Sequence, residues 1–286
     1  MNKLPNLLVY LLFLSCAGKL QNVQTRASSP ITQAPKSEES DNKPQELKPV
    51  IPKSKPEEPK ELLPLVMFRD EFDRVKLELL LMSTGRISTT NGNGTIICIE
   101  PKLMLTASHV PEGECNTLAT DAEISFFNLQ DNGVFLEKTK TVKALLVKHD
   151  SILDLALYQI DDPEFSCVPM RLADNEPNDG NFFYKLGFNL GWIYNTGVKL
   201  ETKILVENGV SMSYNIYAMQ ANHGGSGGPM VSASGELVGV AVGLLEDQTI
   251  ELNKKDGTIS LRAQYVTFAV TLENIKKFLI SYKNLL

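Results

Sequence analysis

The chain reads as an all-β protein that ends in one helix, and three observations predict this. Short apolar or alternating runs recur from about residue 65 onward. Clusters of turn-forming residues separate several of them: Asp131-Asn132-Gly133, Asp179-Gly180-Asn181 and Asp256-Gly257. Runs of this length between Gly, Asn and Asp clusters are the mark of strands and their connections. Helical spacing appears at the C-terminal end, where Leu272, Ile275, Phe278 and Leu279 share one face behind Thr271, a residue type that caps helix starts.

Three zones follow in order. Residues 1–19 carry Lys3, the apolar stretch Leu7 to Leu14 and then small residues, the form of an export signal and too short for a membrane span. Phe13-Leu14-Ser15-Cys16 resembles a bacterial lipobox, which would leave Cys16 lipid-modified; cleavage after Ala17 fits as well and would release a secreted protein. Residues 20–65 hold eight of the 15 prolines among Lys, Glu, Ser and Gln. Such a segment cannot bury enough apolar surface to order itself and reads as a stiff, solvated spacer. Residues 66–286 form the folded domain. Its expected strands are Thr95–Glu100, Lys102–Thr106, Glu123–Asn128, Lys143–Lys148 and Leu155–Ile160, then Phe182–Phe188, Val198–Val206, Ser213–Met219, Met230–Ser232, Leu237–Gly243 and Tyr265–Val270. The final helix is expected to pack its apolar face against the body. No internal repeat has a fixed period.

Composition narrows the function classes. With 286 residues, 43% apolar content and 22% charge, the chain can bury a substantial core. A net charge of −6 without a basic cluster in the folded part argues against nucleic acid, which needs concentrated Lys and Arg. Three scattered histidines and no C-x-x-C leave no zinc-like spacing, so neither a metal nor a cofactor is expected.

The chemistry lies in three segments. Gly224-Gly225-Ser226-Gly227-Gly228-Pro229 presents a serine among glycines; Leu105-Thr106-Ala107-Ser108-His109-Val110 and Asp154-Leu155-Ala156-Leu157 present a histidine and an acid beside apolar runs. A weakly acidic hydroxyl needs a base, and the base needs an orienting carboxylate. The trio reads as a serine hydrolase. Glycines let bare backbone approach a substrate, so the N–H groups of Gly224 and Ser226 are assigned to an oxyanion hole; the alternative is a plain Gly-Ser turn. A nucleophile elbow of the α/β-hydrolase kind is excluded, because its partners follow the serine whereas His109, His149 and His223 all precede Ser226.

These segments resemble the trypsin/chymotrypsin-like serine endopeptidases, in particular the bacterial HtrA (DegP-like) branch. Asn93-Gly94-Thr95-Ile96-Ile97 with Leu103 to Val110 is similar to that branch's "G-x-G … L-T-x-x-H-V", and His149-Asp150 through Ile160 to its "D … D-L-A-L-L-x-I". Gly235 to Val240 and Phe268-Ala269-Val270 resemble the strands after its serine. The resemblance implies two packed six-stranded antiparallel β-barrels, with His109 as base, Asp154 as its orienting acid and Ser226 as nucleophile in the crevice between them. It implies protein or peptide substrates for an exported endopeptidase of the cell envelope, membrane-bound only through a lipid on Cys16. No PDZ-like extension follows. A catalytically silent binding member, or an esterase with the same triad, are the alternatives.

The chain departs from the pattern in several places. Gly225 stands where cleavage-activated members keep an Asp, so no zymogen ion pair is expected. Val240-Ala241-Val242 offers no hydroxyl to the catalytic acid, for which the N–H groups of Ala107 and Ser108 are expected to substitute. The family's histidine-loop disulfide implies Cys98 with Cys115, leaving Cys167 unpaired; two reduced, buried thiols are the alternative. Gln220 stands where trypsin-like members keep an acid, which disfavours Arg or Lys in the substrate. Ala241 and Gly243 as walls point to a small or apolar side chain, with His223 a substrate contact or an exposed loop residue. His149, Asp150, Asp161 and Asp162 read as ordinary solvated residues.

Overall fold

The computed structural model describes residues 62–68, 74–113, 117–130, 135–188, 192–207, 210–219, 224–254 and 257–285. The export signal with Cys16, nearly all of the spacer, Cys115, Gln220, His223 and the turn at Asp131-Asn132-Gly133 lie outside the described residues.

The elements run β1 (Leu62–Phe68), α1 (Arg74–Ser83), β2 (Thr84–Thr89), β3 (Asn93–Glu100), β4 (Leu103–Thr106), α2 (His109–Glu112), β5 (Asp121–Leu129), β6 (Phe135–Asp150) and β7 (Leu155–Ile160). The second half holds β8 (Phe182–Phe188), β9 (Trp192–Glu207), β10 (Val210–Ala218), β11 (Pro229–Ser232), β12 (Leu237–Lys254), β13 (Gly257–Thr271) and α3 (Leu272–Lys283). Strands pair in the cycle β2-β3-β4-β7-β6-β5 and back to β2, which closes one antiparallel barrel. The cycle β8-β9-β10-β13-β12-β11 closes a second. The expected architecture is therefore present, two six-stranded barrels and a terminal helix. Closure leaves neither barrel with an open edge.

Sequence periodicity explains how the barrels meet. On β7, Ala156, Tyr158 and Ile160 point into the first barrel, while Leu155 and Leu157 join the core shared with the second. A strand covered on both faces reads as a continuous apolar run, as Leu155 to Tyr158 does. The shared core takes Ile97 and Leu105 from one barrel and Leu186, Phe188 and Trp192 from the other. It also seats α3, whose Leu272, Ile275, Phe278 and Leu279 are buried as the spacing predicts. The Thr271 hydroxyl caps this helix by accepting the Asn274 N–H. Lys148 of β6 donates to the Phe278 carbonyl at 3.1 Å and also contacts the Ser281 hydroxyl. The helix that leaves the second barrel is thus fastened to the first.

Three differences from the sequence reading have physical reasons. Strand β1 starts at Leu62, within the stretch read as spacer, because it pairs antiparallel with β6 through Leu62–Pro64 and parallel with β9 through Leu65–Phe68. The structure adds α1 and β2, neither of which the sequence reading predicts. The segment from Val75 to Met82 is apolar at so many positions that its period is ambiguous; Leu77, Leu80 and Leu81 are buried, Leu79 and Met82 half exposed. Strand β2 alternates small and polar residues around one buried apolar side chain, Ile87.

The disulfide is the third difference. Cys98 is bonded to Cys167, 69 residues away, and not to Cys115. The chain leaving β7 folds back along the β3–β4 turn: Cys167 N–H donates to the Pro101 carbonyl at 2.9 Å, and Met170 N–H to the Cys98 carbonyl at 2.8 Å. That return brings the two Cα atoms to 6.0 Å, within bridging distance.

Candidate active site

The site forms where two turns of different barrels touch. Strand β4 ends at Thr106 and the chain turns through Ala107 and Ser108 into the short α2, which begins at His109. From the other barrel comes the turn Gly224–Gly228 that leads into β11. Gly227 has φ 81°, and a Cβ there would come within 2.1 Å of both the Thr106 hydroxyl and the Thr95 carbonyl. Only glycine allows the serine's neighbour to lie this close to the histidine's strand.

Thr95, fully buried on β3, ties the turns together. Its N–H donates to the Ser226 carbonyl at 2.8 Å, and its carbonyl accepts the Thr106 hydroxyl at 2.7 Å. Its own hydroxyl accepts the Phe188 N–H at 2.8 Å and donates to the Gly224 carbonyl at 3.2 Å. On the far side of the turn, Gly227 N–H donates to the Ala241 carbonyl at 2.7 Å and Ala241 N–H to the Gly228 carbonyl at 2.8 Å. Gly228 N–H closes on the Gly225 carbonyl at 3.1 Å. The N–H groups of Gly224 and Ser226 make no hydrogen bond among the described residues. The Gly225 N–H likewise makes none, so among the described residues three donors of the turn are unused while those of Gly227 and Gly228 are engaged.

His109 and Asp154 are bonded directly. The imidazole Nδ1 lies 2.9 Å from Asp154 Oδ2 and 3.1 Å from Oδ1. An ionised carboxylate only accepts, so Nδ1 carries the proton and Nε2 is the free edge. Oδ1 also accepts the His109 peptide N–H at 3.0 Å and the Ser108 hydroxyl at 3.1 Å. The expected support from the Ala107 and Ser108 N–H groups is thus replaced by the Ser108 side chain and the His109 N–H. The carboxylate is 20% exposed and the imidazole above it 43%. Among the described residues, no hydrogen bond joins the Ser226 hydroxyl to His109; the backbone holds their turns together. Such bonds often tighten only when substrate binds.

Electrostatics follow from these contacts. Burial works to lower the His109 pKa, but the hydrogen bond and charge of Asp154, with a smaller effect of Glu112, raise it above its ordinary value. Burial works to raise Asp154, but the hydrogen bond and charge of His109, the His109 N–H and the Ser108 hydroxyl hold it below the usual carboxylate range.

The flanking acids are structural, and His149 is not merely solvated. Asp150 accepts the N–H groups of Ile152 and Leu153 at 3.1 and 2.9 Å, building the turn that delivers Asp154. Asp162 accepts the Glu164 N–H and pairs with Lys140. His149 Nε2 pairs with Glu112 Oε1 at 2.5 Å, one helical turn beyond His109. Partners 37 residues apart leave no local spacing signal, nor do the bonds of Ser108 and Thr95. Ala241 is buried against the Ser226 turn, and Gly243 is exposed beyond a bulge in β12.

The two-barrel fold has solved counterparts. The Rv3671c protease of M. tuberculosis in its active form superposes with a TM-score of 0.55 at 17% identity, covering 79% of this chain and 92% of that one. The MamO protease domain of Magnetospirillum magneticum gives 0.51 at 15%, covering 70% and 97%. In sequence, a Haemophilus influenzae protein named "Probable periplasmic serine protease do/HhoA-like" is 29% identical over 159 residues, which is 54% of this chain. The match spans 31% of that protein's length. The family model of the trypsin-like peptidase domain matches residues 92–240, more than half of the chain's 286 residues. That stretch begins just before Thr95, contains the turns of His109, Asp154 and Ser226, and ends beside Ala241; the chain belongs to the trypsin-like peptidase family.

Proposed function

We propose that this member of the family is an active serine endopeptidase. One observation carries the reading: the Asp154-held imidazole of His109 sits on a turn that the backbone clamps to the Ser226 turn, where the N–H groups of Gly224 and Ser226 are among those left without a bond among the described residues. In this scheme His109 Nε2 removes the Ser226 hydroxyl proton as Oγ bonds to the scissile carbonyl carbon. The N–H groups of Gly224 and Ser226 receive the charge on the carbonyl oxygen. The proton passes from His109 to the leaving amine, the C–N bond breaks, and water repeats the sequence on the acyl-enzyme.

The same reading has residues 1–19 direct export and Cys16 carry a lipid that tethers the domain through the proline-rich spacer. The periplasmic designation of the Haemophilus influenzae relative supports export, as does a disulfide of the kind that persists in oxidising compartments. A fluorophosphonate probe on cells producing the full chain tests both parts. Labelling is expected in the membrane fraction, abolished by Ser226→Ala and moved to the soluble fraction by Cys16→Ser. An unlabelled wild-type chain sinks the enzyme; a label indifferent to Cys16→Ser sinks the tether.

A further inference from the structure

Lys185 stands at the middle of β8. Strand alternation sets Phe183, Lys185 and Gly187 on one face and Tyr184, Leu186 and Phe188 on the other. Leu186 and Phe188 belong to the core shared by the barrels, whereas Phe183 joins Tyr217, Met230, Ala241 and Ala269 inside the second barrel. The cross-strand neighbours agree. Lys185 pairs in register with Met230 on β11 and Asn195 on β9, so its side chain enters the second barrel.

That side chain is 4% exposed and has neither a hydrogen-bond nor an ion-pair partner among the described residues. The other buried lysine of the barrel, Lys199, is bonded to Asp179 at 2.8 Å and to the Pro177 carbonyl at 2.9 Å. Burial without a partner lowers the Lys185 pKa to about 8, which leaves the amine mostly charged at neutral pH. An unpaired buried cation is costly to the fold, and a methionine of similar length would remove that cost.

Its position says what it serves. Gly187, the next residue on the same face, packs against the nucleophile turn: a Cβ there would lie 3.0 Å from Gly225 Cα. Lys185 is two residues further along, about 7 Å of strand. Ala241, in the same interior cluster, is bonded through its backbone to Gly227 and Gly228.

We propose that Lys185 is a specificity residue, the cation at the base of the subsite that takes the substrate side chain on the acyl side of the scissile bond, and that it selects Glu or Asp there. The proposal rests on Ser226 being the nucleophile, and it replaces the small or apolar preference that Ala241 and Gly243 imply. A carboxylate supplies the counter-charge that the fold withholds, a neutral isostere leaves the ammonium unpaired, and Arg or Lys adds repulsion.

Two readouts test it on the full chain. In the first, peptides differing only at that residue are cleaved, and the Glu peptide is expected to exceed its Gln counterpart in kcat/KM by about tenfold or more. Lys185→Met and Lys185→Gln are expected to erase the Glu advantage while the Gln peptide is still cleaved, with melting temperatures no lower than the parent's. In the second, product peptides ending in Glu or Gln are bound to Ser226→Ala, which needs no catalysis. Preference for the Glu ending, lost when Lys185→Met is added, upholds the subsite even if the probe fails to label the wild type. Equal binding of the two endings, or a preference that survives Lys185→Met, overturns it.

Discussion

Asp154 does more than bond to His109. Its φ of 53° is the only positive value at a non-glycine among the described residues, a conformation that costs most L-residues about 1–2 kcal/mol and that Asp and Asn tolerate best. Asp150 sustains it by accepting two N–H groups of the intervening turn. Asp154→Asn should therefore keep the backbone and lose the carboxylate's hold on the imidazole, with kcat falling by about 10⁴ as in the chymotrypsin-type triad. The signs of the pKa shifts set the pH behaviour. The pair contributes its full stability between the ordinary carboxylate pKa and the ordinary histidine pKa; it is lost as the pH falls through the lowered folded pKa of Asp154 and as the pH rises through the raised folded pKa of His109. Catalysis needs the neutral imidazole, so the acid limb of kcat/KM is expected above the ordinary histidine pKa and should move to lower pH in the variant; an unmoved limb assigns it to another group. His109, Asp154 and Ser226 stood out as candidates in the sequence because each borders an apolar strand and the order suits one chemistry; the structure brings His109 and Asp154 into direct contact. The Ser108 hydroxyl was not, because nothing in sequence distinguishes a buried serine from an exposed one until the fold turns it toward Asp154.

At the scale of elements, the Ser226 turn is shaped by β3 as much as by its own glycines. Thr95 makes four hydrogen bonds there, two through a hydroxyl that links Phe188 to Gly224. Thr95→Val keeps the shape and removes those two, a cost of about 1–3 kcal/mol for the buried partners left behind. It is expected to slow fluorophosphonate labelling of Ser226 by tenfold or more with little change in the circular dichroism of the strands; labelling at the parental rate would show that the turn keeps its geometry unaided. The strands were legible where both faces are buried, as on β7, and blurred where they lengthen: β9 begins at Trp192 and β12 runs on to Lys254. Strand β2 escaped notice because its partners β3 and β5, rather than its own apolar content, make it a strand. Helix α1 escaped because excess apolar residues mask a period.

For the molecule as a whole, the disulfide shows the limit of reasoning from neighbours in sequence. Cys115 lies near His109 in the chain, but the return of the segment after β7 decides the pairing, and that return is a property of the closed barrel. Closing a 69-residue loop restricts the unfolded chain by about 4 kcal/mol. Replacing Cys98 and Cys167 together by Ala should lower the melting temperature markedly while Ser226 still takes the probe; an unchanged melting point would mean the bridge is not formed in solution. Strand β1 has a practical consequence of its own. Among the described residues it is the one ladder shared by both barrels, its first part zipped to β6 and its last to β9. A recombinant fragment trimmed to residue 66, where composition alone ends the proline-rich tract, would discard the half that grips β6. Expression vectors should open the reading frame upstream of Leu62, or the two lobes will be sold short of the tape that binds them.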